Sequence, residues 1–304
     1  MTRWLPLLLA LLASPLLPAI VNRTKAVFAG RRGPPLLQPY YDLARLARKG
    51  VVYGTGTTWV FRAAPLLVLA ATAGAVLLLP FAAWDAPLGF RYDLVLFAYL
   101  LGAARFATVL AALDTGSSFE GMGASRELLY GALAEPALFL TLLVLVSDTG
   151  ALSLSGLLGV TASSQGFHQP AATVLVVVTL FVVLLAETAR VPFDDPNTHL
   201  ELTMVHEVMI LDHSGPDLAM FQYAASLKLW ALGVLVVGLV LPAAGASPWL
   251  LALLWLAGMA ALAVVVGVVE STMARLQLPR TPQLLVGASL LAVLALLLRL
   301  GSPA

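Results

Sequence analysis

The sequence predicts an all-α integral membrane protein, a bundle of about eight transmembrane helices with one interfacial amphipathic helix and one acidic, broken cytoplasmic loop. Three observations carry this reading. Of 304 residues, 60% are apolar and 11% charged, whereas an ordinary soluble domain is about a quarter charged. Eight windows are long and apolar enough to cross a bilayer core of about 30 Å, which takes about 20 residues at about 1.5 Å of rise each. Almost all ionisable side chains fall in alternate connections between those windows. The same numbers exclude other classes. With 17 Lys and Arg against 16 Asp and Glu, the net charge of +1 offers no field to draw in nucleic acid. Without cysteine the chain has no disulfide, no thiolate-held iron–sulfur cluster and no thiol nucleophile, so any redox centre belongs to a partner or a diffusible ligand.

In chain order the windows run from Trp4 to Val21, Trp59 to Phe81, Asp93 to Leu113, Ala132 to Ser147, Ala171 to Ala189, Ala224 to Leu241, Pro248 to Val269 and Gln283 to Leu300. The fourth is the weakest, because Pro136 sits near its start and its apolar run is short, which leaves a seven-span count open. Basic residues are retained on the cytoplasmic side of short loops. The first connection carries Arg23, Lys25, Arg31, Arg32, Arg45, Arg48, Lys49 and Arg62, which places it in the cytoplasm. Alternation then puts Arg126, Arg190, Lys228 at the next helix's start, Arg275 and Arg280 inside, leaves only Arg3, Arg91 and Arg299 outside, and turns both termini outward. A cleaved signal peptide over residues 1–21 is the competing reading, and it would export the most basic loop. The expected organisation is a single transmembrane domain, residues 1–304, in the cytoplasmic (inner) membrane, with cytoplasmic loops at about 22–58, 114–131, 190–223 and 270–282. Within the first loop, QPYYDLARLARK (38–49) sets Tyr41, Leu43, Leu46 and Ala47 near one side of a helix and charges around it, as in a helix lying at the interface.

The most informative stretch is AETARVPFDDPNTHLELTMVHEVMILDHSGPDLA, residues 186–219, with seven acids (Glu187, Asp194, Asp195, Glu201, Glu207, Asp212, Asp217) against Arg190 alone. Charges at membrane depth must pair, take up protons or line a wet cavity. Glu187 and Arg190 lie three apart on one helix face, an expected ion pair. Pro192 and Pro196 then break the helix, and LELTMVHEVMIL is too apolar to lie open in water, so an irregular acidic segment tucked into the bundle is expected. His199, His206 and His213 are spaced by seven, which on one helix is about 10.5 Å per step and too far to share a metal ion. No metal site is expected; hydrogen-bonded histidines or a proton relay with Glu201 and Glu207 fit better. A second group precedes and opens the fourth span: Asp114, Glu120, Arg126, Glu127 and Glu135. Glu135 lies at or just inside the membrane, where it exchanges protons or sits in a fixed ion pair, with Arg105 in the third span as the counter-charge and Arg126 nearer the loop. GTGTTW (54–59) is a loop rather than a dinucleotide fingerprint, and no G-x-S-x-G nucleophile elbow occurs, so no catalytic residue is assigned.

ETARVPFDDPNTHLEL resembles the signature loop of the ND-one family, the H-type membrane subunits of respiratory complex I, and NRTKAVFAGRRGPPLLQPYYDLARL resembles that family's first loop. GASRELLYGALAEPAL and HLELTMVHEVMILDHSGPDLA look closer to its hydrogenase branch, the membrane anchor subunit of formate hydrogenlyase and of energy-converting group four NiFe hydrogenases; Glu201 to Gly215 is longer than in the complex I form. The resemblance implies an eight-helix anchor and coupling subunit with no redox metal of its own. It would join a cytoplasmic arm, a NiFe large subunit and an iron–sulfur small subunit, to antiporter-like membrane subunits. Carried over by motif, Glu135, Glu187, Asp194, Asp195, Glu201 and Glu207 are proton-path or coupling residues, Arg126, Glu127 and Arg190 their charge partners beside Arg105 of the third span, which lies outside the matched motifs, and Arg31, Arg32, Gly33 and Pro34 docking residues for the arm. The alternatives are an ND-one-type subunit of complex I (NADH:quinone oxidoreductase) whose loops line a quinone cavity, with quinone as its ligand, and a purely structural anchor. An independent secondary transporter is more distant, because neither inverted repeats nor paired broken spans are found.

Overall fold

The computed structural model describes residues 2–161, 170–194, 205–241, 247–277 and 279–301. Among the described residues, eight spans are long and apolar enough to cross a membrane. The first is two helices in line, α1 (Leu5–Ala13) and α2 (Leu16–Phe28); then come the short α3 (Gln38–Ala47), α4 (Trp59–Leu77), α5 (Asp93–Asp114), α6 (Ser118–Thr149) and a short α7 (Leu154–Thr161). They are followed by α8 (Pro170–Glu187), the single turn α9 (His206–Met209), α10 (Gly215–Val240), α11 (Pro248–Thr272) and α12 (Thr281–Leu300). No strand occurs among the described residues. α10 is the central helix, buried along almost its whole length and contacted by α2, α3, α4, α7, α8 and α11, while α6 packs on α5, α8 and α12. The all-α bundle of eight spans is as the sequence predicts.

The first span breaks at Ser14 and Pro15: Pro15 has no N–H for the Leu11 carbonyl, and the turn leaves the Leu12 carbonyl also without its helical donor. Two tyrosines replace the missing donors. The Tyr223 hydroxyl of α10 donates to the Leu11 carbonyl at 2.7 Å, and the Tyr40 hydroxyl of α3 donates to that of Leu12. The amphipathic helix is thus stapled to the break, with burial pushing the Tyr40 phenol above its ordinary pKa. Tyr41, on the expected apolar side, is exposed instead.

Three boundaries differ from the sequence reading. The first span continues past Val21 to Phe28, so Arg23 and Lys25 lie on its last turns rather than in the connection. Residues 118–131, expected in a loop, form the first turns of the 32-residue α6, which runs through Pro136 without stopping. At about 48 Å this helix exceeds a bilayer core. Its charged start escapes a hydropathy window, yet those charges are matched in the fold: Glu127 by Arg105, and Glu120 by the Asp212 amide. Likewise α10 begins at Gly215, nine residues before the apolar window, so Lys228 sits well inside the helix rather than at its start. Gly215 is required there, with φ +56° and a position where a Cβ would lie 2.6 Å from the Gly50 carbonyl oxygen. Ser214 accepts the Val52 amide, and the Tyr53 hydroxyl donates to Asp217 at 3.0 Å, tying the first connection to this helix start.

Candidate functional site: a branched ionic network beside a cavity

The site forms where α8 ends early. Eighteen residues bring α8 to Glu187, after which Thr188 to Asp194 continue as turns inside the bundle, with Val191, Pro192, Phe193 and Asp194 buried. Irregular backbone survives there because its polar groups find protein partners. The Asp194 carboxylate accepts from the Val205 and His206 amides at 3.1 and 3.0 Å and pairs with Arg275 at 3.0 Å, while the Pro192 carbonyl accepts from the Leu276 amide.

Arg105 is the hub. It lies on α5, nine residues from the Asp114 end and therefore about 13 Å into the bundle. Its guanidinium pairs with Glu187 of α8, with Glu135 of α6 at 2.6 Å, and with Glu127 of α6 at 3.4 Å. Glu187 is paired on its other oxygen with Lys228 of α10 at 2.7 Å. Gly131 makes the arrangement feasible, since a Cβ at this position of α6 would lie 2.3 Å from an Arg105 nitrogen. Arg105 and Glu187 are almost fully buried, but the Glu135 side chain is 46% exposed on the flank of the bundle. On the same two helices stand exposed apolar side chains, among them Phe139, one turn along α6, and Tyr99, whose ring meets that of Phe139 at 6.3 Å.

A second network is separate. Glu270 of α11, its side chain fully buried, pairs with Lys25 of α2 at 2.8 Å and with Arg190 at 3.2 Å. This corrects the expected Glu187–Arg190 pair. The turns after Glu187 carry Arg190 out of helical register, so the two side chains no longer share a face and each finds a partner on another helix.

Two cavities flank the hub. One, of about 320 Å³, is bounded by Asn22, Asp42, Arg190, Asp194, Glu207 and Gln222. The other, of about 40 Å³, touches Arg105, Glu127, Glu187 and Lys228. Thr188, His206, Phe221 and Ala225 line both and form their common wall. Burial holds the His206 imidazole below its ordinary pKa; Glu127 opposes this, Lys228 adds to it, and Asp194 opposes it. His206 thus stands, biased towards its neutral form, in the wall between the larger polar cavity and the small one beside the ionic hub.

Of the sequence candidates, Arg105, Glu127, Glu135 and Glu187 meet at the hub, and Asp194 and Glu207 line the larger cavity. Arg190 belongs to the second network, and Arg126 is half-buried on α6. Arg31, Arg32 and Pro34 are exposed after α2, with Gly33 against Ala26 and Arg23. Asp195, Glu201 and His199 lie outside the described residues. Sequence reasoning missed Lys228, Glu270 and Lys25 as site residues. Glu270 carried a signal, as the sole charged residue of α11, one position past its apolar window. Among the described residues no group of three or more potential ligands is placed to hold a metal ion.

The pattern of the NADH dehydrogenase family matches residues 3–300. Formate hydrogenlyase subunit 4 of Escherichia coli K12 is 32% identical over 288 residues, covering 92% of this chain and 92% of that protein. Hydrogenase-4 component C of the same strain is 33% identical over 232 residues, 76% of this chain and 72% of that one. The H subunit of NADH-quinone oxidoreductase from Paraburkholderia xenovorans is 28% identical over 222 residues, 69% and 62% of the two. A chain in the structure of the membrane-bound sulfane sulfur reductase, an archaeal respiratory membrane complex, superposes with a TM-score of 0.84 over 98% of both chains at 19% identity, which establishes a shared fold. With the family pattern spanning nearly the whole chain, this protein belongs to the NADH dehydrogenase family.

Proposed function

We propose that this chain is the membrane anchor and coupling subunit of a multi-subunit respiratory hydrogenase of the inner membrane. It would catalyse no redox step itself. The NiFe centre and iron–sulfur clusters would reside in a large and a small cytoplasmic subunit seated on the basic first connection, near Arg31, Arg32, Gly33 and Pro34. Similarity to the formate hydrogenlyase and hydrogenase-4 subunits supports this assignment over the more distant quinone-reducing one.

The carrying observation is the asymmetry of the Arg105 hub. Its Glu187 arm faces the small cavity behind His206, while its Glu135 arm reaches the flank of the bundle and remains half exposed. A carboxylate in lipid is costly, so this flank fits a neighbouring membrane subunit that supplies a polar partner. Electron transfer in the arm would change the charge or hydration of the acidic segment containing Asp194, Asp195, Glu201 and Glu207. Arg105 could then redistribute between Glu187 and Glu135, moving a proton or an electrostatic bias sideways to an antiporter-like subunit. The 320 Å³ cavity supports a second reading, in which a quinone head group occupies that space as in an ND-one-type subunit of complex I.

The test isolates the intact complex in mild detergent, identifies its subunits and metals, and assays hydrogen turnover and quinone reduction side by side. Nickel, hydrogen turnover and ion movement that Glu135→Gln abolishes while hydrogen turnover persists are the expected results. Quinone reduction without nickel would replace the hydrogenase reading, and unimpaired ion movement in Glu135→Gln would defeat the lateral route.

A further inference from the structure

At the end of the bundle opposite the Arg105 hub, the start of the first span, the α4–α5 connection and the α6–α7 connection enclose an open cavity of about 900 Å³. It is lined by Arg3, Trp84, Asp85, Arg91, Ser153 and Ser155 among others. Trp84, Asp85 and Ser155 also line an adjoining cavity of about 260 Å³ whose far wall is apolar, formed by Leu158, Leu251 and Trp255. One wall, carrying Asp85 and Ser155, is therefore shared between a net cationic basin and a slot whose far wall is apolar.

Basic residues are scarce at this end. Arg299 is taken by the buried Asp148 at 2.7 Å. Arg3 and Arg91 have no ion-pair partner among the described residues; the Arg91 guanidinium lies 5.1 Å from the Tyr92 ring. Both point to one basin, in contrast to Arg105, Arg190 and Arg275, which are all paired. Trp84 meets Trp249 edge to face at 5.3 Å, and Trp249 is 69% exposed, the placement of indoles at a membrane–water boundary. The basin thus lies at headgroup level with the slot on its hydrocarbon side.

We propose that these joined cavities hold one anionic phospholipid, its phosphodiester on Arg3 and Arg91 and one acyl chain against Leu158, Leu251 and Trp255. Guanidinium groups match phosphate oxygens in charge and fork geometry. Two arginines and Asp85 leave the basin one positive charge, which a singly anionic lipid neutralises, and the Asp85 carboxylate accepts from a headgroup hydroxyl such as that of phosphatidylglycerol. Inorganic phosphate would leave the slot empty, and a neutral hydrocarbon would leave the arginines unmatched. The site is distinct from the ionic hub and does not depend on the coupling role proposed for it.

The test is photolabelling of the intact membrane complex with phosphatidylglycerol carrying a photoreactive acyl chain, followed by peptide mapping. Labelling of this chain near Trp84 to Arg91 and Leu251 to Trp255, competed by unlabelled phosphatidylglycerol and at least fivefold less by phosphatidylcholine, is expected. Arg3→Gln combined with Arg91→Gln should lower that labelling at least fivefold, and Arg91→Lys should retain part of it. Equal competition by phosphatidylcholine, displacement by inorganic phosphate alone, or undiminished labelling of the double variant would overturn the proposal. If the double variant does not assemble, competition on the unaltered complex decides alone.

Discussion

Glu135 and Glu270 are both carboxylates on spanning helices paired with arginine, and they differ in almost every other respect. Glu270 has no exposed side-chain surface and is held between two cations from different segments, Lys25 and Arg190. Glu135 has one arginine, which it shares with two other carboxylates, and nearly half of its side chain is open. The first geometry is closed: each charge has a protein partner, and the buried carboxylate is shared by two cations. The second is open: Arg105 retains two other carboxylates if Glu135 is neutralised, so loss of that charge is tolerated locally. The difference between the two is therefore one of partner count and access rather than of residue type.

The largest expected effect is at the hub cation. Arg105→Leu leaves Glu127, Glu135 and Glu187 facing one another with only Lys228 beside them, and removal of one partner from a buried ionic group costs about 3–5 kcal/mol. The variant is expected to fail to accumulate in the membrane, or to lose roughly 10 °C of thermal stability in detergent. A well-accumulated, stable Arg105→Leu protein would show that the fold does not need the hub cation. Glu270→Gln comes next, since it removes the carboxylate that Lys25 and Arg190 share, both of them partly accessible to water. A loss of about 2–3 kcal/mol is expected, read as a shift in thermal unfolding, with hydrogen turnover and ion movement falling together because the anchor itself is weakened.

These two networks also mark how far sequence carries. The spans were legible because apolar length is a local property, and Glu135, Arg105 and Glu187 stood out because a charge in an apolar window is anomalous in itself. Pairing was not legible. Glu187 and Arg190 are three apart, and a helical rule joins them, but the chain leaves the helix at Glu187, and which partner each then finds depends on α10 and α11. The same limit hid the first 14 residues of α6: their charges argue for a loop until Arg105 and the Asp212 amide, distant in sequence, are brought beside them. The tyrosine staples at Leu11 and Leu12 follow this pattern, since Pro15 announces broken hydrogen bonds but not which side chains repair them.

His213 offers a third kind of buried group against which the two carboxylates can be gauged. Its ring stacks on Phe61 at 3.8 Å and leans on Phe221, and neither nitrogen has a hydrogen-bond partner among the described residues. Burial lowers its pKa from 6.5 to about 4. The folded state therefore binds fewer protons than the unfolded one between those values, so stability is full above pH 6.5 and falls as pH drops towards 4. The whole effect is at most about 3 kcal/mol. Thermal unfolding as a function of pH should show this slope, and His213→Phe should flatten it while retaining the stack. An unchanged slope would assign the acid sensitivity to the carboxylate networks instead.

The smallest effect on stability belongs to Glu135, and it is the one that separates the open branch from the closed one. Because its side chain is half exposed and Arg105 keeps its bonds to Glu187 and Glu127, Glu135→Gln should change unfolding by less than about 1 kcal/mol in the isolated chain. Its signature should be spectroscopic: difference infrared spectra of the complex under turnover should contain a protonated-carboxyl band that Glu135→Gln removes and Glu270→Gln does not. A band lost in both variants would mean that the networks respond as one, so that the closed network is part of the route. A band lost in neither would leave Glu135 as a second static ion pair, its exposure filled by a neighbouring subunit, and the distinction between the two carboxylates would then be one of position alone.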